Sequence, residues 1–436
     1  MYSNRYIYDV LYGKVQYPDF VWEIMLCPEL QRLREVRLCN INSLCLPGGA
    51  NINRYEHALG TTYLAIQCLE SWLSLIDTKT WRRIILAALL HDIGSAAFGH
   101  SVQYVLESKG FEHESLYSKI GLDQNPQQGR FIYQDAYLQP IYFGMPRRLK
   151  TMLSTEDLSV INELVAGNGY YGPLVSGTVD LDNIDNVFRL AYHIGLTYSR
   201  ETPLLLARSI WIQNGRLTIS GDSISLLEEW YKVRTTLYRY LLLNPDEFSA
   251  KCMLEEALEV AQLQGAITFY WFEVDYQLLE KLMNHPKSSG IVSRLMLGDL
   301  YGCLGIYEIP WNDNASKLTN PKHRHALENS IQGQIRKLSS SILKNSDIAI
   351  HVIKDVNKTQ RQIRVMTSSD EEVVIGNPSS RLLLGVFFKN VHLSMTEIDQ
   401  EFVNRMELRS VVRSILIRDL QDPNIEELVP YSESDN

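Results

Sequence analysis

The apolar positions of the chain follow the spacing of helices up to about residue 340. In this part apolar residues recur every three or four positions, and clusters of Pro, Gly and Asn such as 46–53 and 166–173 separate the segments. One short strand, 216–220, is expected among the helices. The predicted helices are 56–77, 81–93, 157–166, 183–195, 224–243, 252–264, 275–284 and 290–303.

After about residue 345 the pattern changes to alternation and to runs rich in Val and Ile, which is typical of strands. The predicted strands lie in DIAIHVIKDV, RQIRVMTSS, EEVVIG and LLLGVFF, and an amphipathic helix follows at about 395–420. The last residues are acidic and lack a period. We therefore expect a mainly α fold, with a helical core over 1–340, a smaller α+β module over 341–420 and a disordered acidic tail over 421–436.

The composition excludes some classes of protein. With 45% hydrophobic and 21% charged residues the chain is globular, and its net charge of -9 does not suit a protein that coats nucleic acid. A polyanionic small molecule in an arginine-lined pocket fits this charge better. The N-terminus has no signal-peptide pattern, and the longest clean apolar run, Ile84–Leu90, falls far short of the roughly 20 residues that span a bilayer. The six cysteines include no CxxC pair. We expect reduced thiols in a cytoplasmic protein that makes no membrane contact.

The segment WRRIILAALLHDIG (81–94) carries the first candidate site. Positions 84–90 are apolar on every face, so the helix should be buried, yet it ends in His91 and Asp92. A buried carboxylate needs a cation, a hydrogen-bond donor or a metal. Adjacent helical residues point about 100° apart, so both side chains can converge on one ion over the helix end. A buried hydrogen bond between His91 and Asp92 accounts for the dipeptide equally well.

The segment NRYEHALG (53–60) places His57 near the start of another apolar helix, with Arg54 one turn earlier on the same face. If His57 binds a metal, Arg54 points toward the same pocket and can grip a phosphate through two hydrogen bonds. The alternative is a surface arginine beside a histidine of the core.

Asp180, Asp182 and Asp185 cluster at the start of the helix in 176–195. Taken alone, they are better explained as helix caps and partners of the helix dipole. Together, the three segments offer two imidazoles and two carboxylates, a mixture that suits Mn, Fe, Zn or Mg and leaves positions for water and substrate.

These segments resemble the HD-domain phosphohydrolases, and within them the deoxynucleoside triphosphate (dNTP) triphosphohydrolases, which include bacterial dGTPases. RYEHALG (54–60) looks like the family's RFEHSLG, and LLHDIGSAAFGH (89–100) looks like its segment with the HD pair. LCPELQRLREVRL (26–38), FEHES (111–115) and VRTTLYRYL (233–241) are similar to further family motifs. The matches extend over about residues 5–310, so the predicted core is identified as an HD domain.

The resemblance implies a role for each matching residue. The metal ligands would be His57, His91, Asp92 and Asp182. Arg54 would contact the α-phosphate, Arg234 the distal phosphates, and Gln31 would lie near the sugar. His100 and His113 match family histidines that act at the scissile phosphate, one of them by protonating the departing 5′-oxygen. The products would be a deoxynucleoside and tripolyphosphate.

Several positions depart from the family pattern. Ser95 stands where a histidine often follows HDIG, and Gln103 replaces the acidic partner of the catalytic histidine, so Glu114 beside His113 is the substitute that we assign to catalysis. On the substrate side, the basic residue and the tyrosine after the last metal aspartate are Asn183 and Asn186. Two rival hypotheses follow, a nucleotide phosphatase or phosphodiesterase with another substrate, and a non-catalytic nucleotide-sensing protein.

The resemblance also implies partners. Family members commonly assemble through helical faces and are regulated by nucleotides at subunit contacts. We therefore expect a dNTP substrate, a nucleotide activator, a homo-oligomer from dimer to hexamer and a role for a protein partner. Bacterial relatives limit phage by depleting dNTPs, which makes antiphage defence a further hypothesis for this chain.

Overall fold

A computed structural model of the protein describes residues 5–39, 46–99, 145–263, 273–338, 347–389 and 395–428. These residues form 17 α-helices and three β-sheets, which confirms a mainly α fold with a smaller α+β part. No helix within the described ranges is both long and apolar enough to cross a bilayer.

The helices are α1 Asp19–Met25, α2 Pro28–Gln31, α3 Pro47–Ala50, α4 Arg54–Glu70, α5 Thr78–Leu90, α6 Met145–Met152, α7 Thr155–Val165, α8 Gly172–Val175, α9 Leu181–His193, α10 Thr202–Ser209, α11 Ile224–Leu243, α12 Pro245–Leu263, α13 Asp275–Asn284, α14 Ser289–Leu297, α15 Asp313–Lys317, α16 Pro321–Leu338 and α17 Met395–Leu420. Every helix expected from periodicity is present. The largest differences are at α4, which ends at Glu70 rather than at 77, and at α12, which begins at Pro245 rather than at 252. Helix α14 ends at Leu297 rather than at 303, because Gly298 adopts a left-handed φ of 74° and closes the helix.

Side-chain caps fix where the helices of the site begin. The Asn53 side chain accepts a hydrogen bond from the Glu56 amide at 2.9 Å and starts α4. Asp77 does the same for α5 by accepting from the Thr80 amide at 2.7 Å. These residue types at the N-cap satisfy amides that have no partner within the helix.

Strands from distant parts of the chain form the sheets. The hairpin is β1 Ile7–Asp9 with β2 Gly13–Val15. One four-stranded sheet has the order β3 Ile210–Gln213, β4 Arg216–Ile219, β7 Ile363–Thr367 and β8 Glu372–Ile375, with β4 and β7 parallel. The other, wholly antiparallel, has the order β10 Glu426–Leu428, β5 Gly302–Pro310, β9 Ser380–Phe388 and β6 Ile348–Val356.

Each four-stranded sheet combines strands from both sides of the predicted domain boundary at residue 340. β5 precedes this boundary and pairs with β9, which follows it, and β4 pairs with β7 across the same point. Strand β10 falls in the predicted acidic tail and pairs with β5, whereas 429–436 lie outside the described residues. Periodicity identifies strands but not their partners, since pairing depends on contacts between distant segments.

The largest apolar core lies among the helices that precede α12. In it α4 packs against α5, α9 and α10, and α9 also packs against α11. Helix α5 is apolar all round its second half, and residues 84–90 are fully buried as expected. The described cysteines form no disulfide, and Cys45 lies outside the described residues. This packing brings the start of α4, the end of α5 and the start of α9 together.

Candidate metal centre

The four predicted metal ligands come together where α4, α5 and α9 meet. His57 lies in the first turn of α4, His91 caps the C-terminus of α5, and Asp92 follows it. One ligand atom of each of these three residues lies within 4.8 Å of the others. Oδ1 of Asp182, in the first turn of α9, lies 2.8 Å from Nε2 of His57 and 3.6 Å from Nε2 of His91.

The two imidazoles are oriented by what their Nδ1 atoms contact. Nδ1 of His91 lies 2.8 Å from the Ala88 carbonyl oxygen, which can only accept. Nδ1 of His57 lies 2.8 Å from Oδ2 of Asp185. In neutral rings with the proton on Nδ1, both Nε2 atoms present lone pairs to each other at 3.2 Å. One divalent ion can accept both lone pairs at this distance, so the donor set fits a divalent metal.

The charges around the centre also favour a cation. Burial lowers the pKa of His57, but hydrogen bonds to Asp182 and Asp185 outweigh it and raise that pKa to about 10. Burial likewise lowers the pKa of His91, and the charges of Asp182 and Asp92 raise it above its ordinary value. The carboxyl of Asp92 is shifted by burial toward a higher pKa, yet the Arg54 charge holds its pKa well below the usual range.

Arg54 and Ser95 hold Asp92 in place. Nη1 of Arg54 lies 2.7 Å from each carboxylate oxygen of Asp92, and Oγ of Ser95 donates to Oδ1 at 2.9 Å. All three side chains are buried. The buried Nε of Arg54 has no hydrogen-bond partner among the described residues. Ser95, which departs from the family pattern, therefore supports a predicted ligand directly.

The three aspartates of α9 do different things. Asp180 is the N-cap and accepts from the Asn183 amide at 2.6 Å, so the cap interpretation holds for this residue. Asp182 faces the two histidines. Asp185 is fully buried and accepts from the Tyr12 hydroxyl at 2.7 Å and from Nε of Arg189 at 2.8 Å, besides contacting His57.

The contact of Asp185 with His57 is the feature that sequence reasoning missed. The signal was present, because Asp182, Asp185 and Arg189 follow the helical spacing that puts them on one face of α9. Arg189 is fully buried and bonds Asp9 of the hairpin at 2.9 Å and Glu56 at 2.6 Å. A carboxylate held in this way fixes the ring of the ligand that it contacts.

The QRLR part of the 26–38 segment braces the turn after Asp92. Nη2 of Arg32, a fully buried residue, donates to the carbonyl oxygens of Ile93 at 3.0 Å and Ser95 at 2.8 Å. Gln31 does not contact this turn. Its Nε2 donates to the Met25 carbonyl at 2.5 Å and to the Tyr55 hydroxyl at 3.1 Å.

The other residues assigned to substrate, Asn183, Asn186 and Arg234, lie on α9 and α11. Nδ2 of Asn183 donates to both carboxylate oxygens of Asp180, at 2.9 and 3.0 Å, and so turns toward the cap. Oδ1 of Asn186 is buried, as are Nε and Nη1 of Arg234, and these atoms lack hydrogen-bond partners within the described ranges. His100, Gln103, His113 and Glu114 lie outside the described residues.

Comparison with known proteins finds distant relatives. No protein-family model matches the chain. It is 22% identical over 277 residues to the deoxynucleoside triphosphate triphosphohydrolase SAMHD1 homolog of Dictyostelium discoideum, which covers 59% of this chain and 50% of that protein. The SAMHD1 of Danio rerio is 22% identical over 350 residues, or 68% of this chain and 55% of that protein. An uncharacterized protein of Methanocaldococcus jannaschii is 26% identical over 258 residues, covering 58% and 49%.

The chain spans about half the length of these three curated relatives, from 49% to 55%. Among solved structures, a hypothetical protein from Aquifex aeolicus superposes with a TM-score of 0.65 over 94% of this chain and 99% of that one. Its sequence identity is 16%, so this likeness shows the fold alone.

Proposed function

We propose that this chain, a distant relative of the HD-domain deoxynucleoside triphosphate triphosphohydrolases, hydrolyses a dNTP to a deoxynucleoside and tripolyphosphate. The observation that carries the proposal is the convergence of His57, His91, Asp92 and Asp182 from three helices, with the Nε2 atoms of both histidines turned toward each other.

In this proposal the four side chains hold one divalent ion, which is Mn, Mg, Fe or Zn. Such an ion, when bound, polarises a phosphoryl oxygen and lowers the pKa of a water. Asp185 and the Ala88 carbonyl keep the imidazoles in the orientation and tautomer that binding requires. Arg54 donates to Asp92 through Nη1, and its buried Nε would donate to an oxygen of the α-phosphate.

The bond changes follow from the products. The oxygen of a water forms a bond to the α-phosphorus, the bond from that phosphorus to the 5′-oxygen breaks, and the departing oxygen takes up a proton. His113 or His100 supplies this proton by family resemblance, with Glu114 beside His113 as its carboxylate partner. By the same resemblance Arg234 is assigned to the distal phosphates and Gln31 to the sugar. Asn186, whose buried Oδ1 has no hydrogen-bond partner in the described ranges, is assigned to the nucleoside.

One observation favours a second candidate. Asn183 stands where the family favours a cation, and its side chain is bonded to the helix cap. A phosphate site without that charge could serve a nucleotide with fewer phosphates, in a nucleotide phosphatase or phosphodiesterase. In either case the relationship to SAMHD1-like proteins supports a homo-oligomer. A nucleotide activator and, for a bacterial chain, dNTP depletion against phage belong to the same proposal.

The test is incubation with each dNTP and NTP in Mn or Mg, followed by chromatography of the products. Nucleoside together with tripolyphosphate is expected from at least one dNTP. Orthophosphate or pyrophosphate as the released product would support the second candidate instead. Tight nucleotide binding without any product would replace both with a nucleotide-sensing role.

A further inference from the structure

The loop between β6 and β7, residues 357–361, reaches from the C-terminal strands to two helices of the core. The carbonyl oxygen of Asn357 accepts from Nη2 of Arg234 on α11 at 3.2 Å. Nη1 of Arg361 donates to the carbonyl oxygen of Thr178 at 3.1 Å, in the segment that leads into α9. The loop therefore contacts α11 and the segment that leads into α9, the helix that carries Asp182.

Arg234 is buried, and no carboxylate within the described ranges bonds it. It is 1% exposed, its Nε and Nη1 lack hydrogen-bond partners in the described part of the chain, and its guanidinium stacks over Tyr238 at 4.3 Å. Burial lowers the pKa of Arg234 more than the charge of Asp355 raises it, and the Asp355 carboxylate accepts hydrogen bonds from Arg381 and Thr359. Burying a guanidinium in this way is costly unless an anion completes its contacts.

The same loop carries a second positive charge. Arg361 lies four positions after Asn357, whose carbonyl oxygen accepts from Arg234. Burial lowers the pKa of Arg234, and the charge of Arg361 lowers that pKa further. A polyanion that contacts both groups would offset this repulsion.

Both arginines are anchored beside the start of α9. Trp230, one turn before Arg234 on α11, donates its indole N–H to the Asn183 carbonyl at 3.3 Å, directly after Asp182. Arg361 is anchored at Thr178, four positions before Asp182. An anion between the guanidinium groups would thus lie next to the helix end that faces the metal centre.

We propose that Arg361 is a phosphate-binding residue that acts with Arg234 on the distal end of a polyphosphate chain. This inference rests on the proposed function and deepens it, because it assigns a residue of the 357–361 loop to the substrate. Two arginines at the distal end would also allow the site to select ligands by the number of linked phosphates. A ligand with three linked phosphates reaches both arginines, whereas a single phosphate at the metal centre does not.

The test compares Arg361→Ala with Arg364→Ala, a matched control that removes an arginine three positions away on β7, where it is exposed and bonded to Gln362. Binding of inorganic tripolyphosphate and of orthophosphate is measured by calorimetry in Mg. Loss of one charge-assisted contact should weaken tripolyphosphate binding about tenfold in Arg361→Ala. Orthophosphate binding should stay within about twofold, and Arg364→Ala should match the wild type for both anions.

Turnover gives the second readout. In Arg361→Ala the KM for the dNTP should rise about tenfold with kcat unchanged, because the contact is made equally in ground and transition states. Arg361→Lys keeps the charge but loses the planar fork, so its KM should lie between those of Arg361→Ala and the wild type.

Unchanged tripolyphosphate binding in Arg361→Ala would overturn the inference and leave the proposed function standing. An equal loss of affinity for both anions, together with a lower Tm, would also overturn it by showing that Arg361 only tethers the loop. If binding depends on Arg361 but no dNTP yields tripolyphosphate, the anion site stands and the proposed function fails.

Discussion

Nδ1 of His57 lies 2.8 Å from Oδ2 of Asp185, and both side chains are buried. This contact turns Nε2 of His57 toward Asp182 and His91 and so decides which atom is offered to a metal. A partner that orients a metal-binding histidine usually matters nearly as much as the ligand itself.

Asp185→Asn is expected to weaken metal binding about 10- to 100-fold, because an amide cannot accept from His57, Tyr12 and Arg189 at once. Competition with a chelator of known affinity measures the change. Asp77→Asn at the N-cap of α5 is the control, since asparagine caps helices as well as aspartate does. Equal metal affinity in Asp185→Asn and Asp77→Asn would show that Asp185 does not orient His57.

Gly60 of the RYEHALG segment leaves room for this network. A Cβ at position 60 would overlap Oδ1 of Asp185 and Nη2 of Arg189. We expect Gly60→Ala to lower the free energy of unfolding by about 2 kcal/mol, since both groups are fixed by other partners. Gly290→Ala in α14 is the control, because its Cβ meets nothing within 4 Å and alanine favours a helix. Urea denaturation should separate the two variants, and an equally stable Gly60→Ala would contradict the packing described.

Arg32 offers a test of the turn that follows Asp92. Arg32→Lys keeps the charge but cannot reach the Ile93 and Ser95 carbonyls with the same fork. The free energy of unfolding should fall by about 2 kcal/mol, and metal should be lost at a lower chelator concentration. Arg34→Lys, at an exposed neighbouring position, should change neither quantity. If both variants behave alike, Arg32 does not brace the turn.

The charge on His57 predicts the pH dependence of metal binding. In chelator-treated protein its pKa is raised to about 10 by Asp182 and Asp185 against the effect of burial. The stability that this charge contributes is therefore complete below about pH 6.5 and is lost as the pH rises through about 10.

A metal must displace the His57 proton, so metal affinity should rise between pH 7 and 9 by about tenfold per pH unit. Calorimetry in buffers of different ionisation enthalpy should detect proton release on binding. Metal affinity that is constant or falls over this range would contradict the assigned ligand.

Sequence alone predicted nine of the 17 α-helices and five of the ten strands that the structure describes, together with the residues that meet at the centre. Helix α16 and strand β5 are among the elements that it did not predict. Helical and strand periods are local properties, and His57, His91, Asp92 and Asp182 lie in segments whose spacing and family resemblance are visible without a fold. Their assignment as ligands stays a prediction until a metal is measured.

The features that escaped prediction depend on distant contacts. Asp185 meets His57 across 128 positions, and the free space at Gly60 exists only because α9 packs on α4. The pairing of β4 with β7 likewise joins segments on either side of residue 340. A sequence pattern states what each segment prefers, and long-range packing then decides which side chains share a partner.

The metal content and turnover of Asp92 variants test the central claim most directly. Elemental analysis and dNTP hydrolysis should be measured together for the wild type, Asp92→Ala and Asp92→Asn, the last of which keeps the shape beside Arg54. We expect a stoichiometric divalent ion and turnover in the wild type, and the loss of both in each folded variant. Full metal content or full turnover without the Asp92 carboxylate would contradict the account.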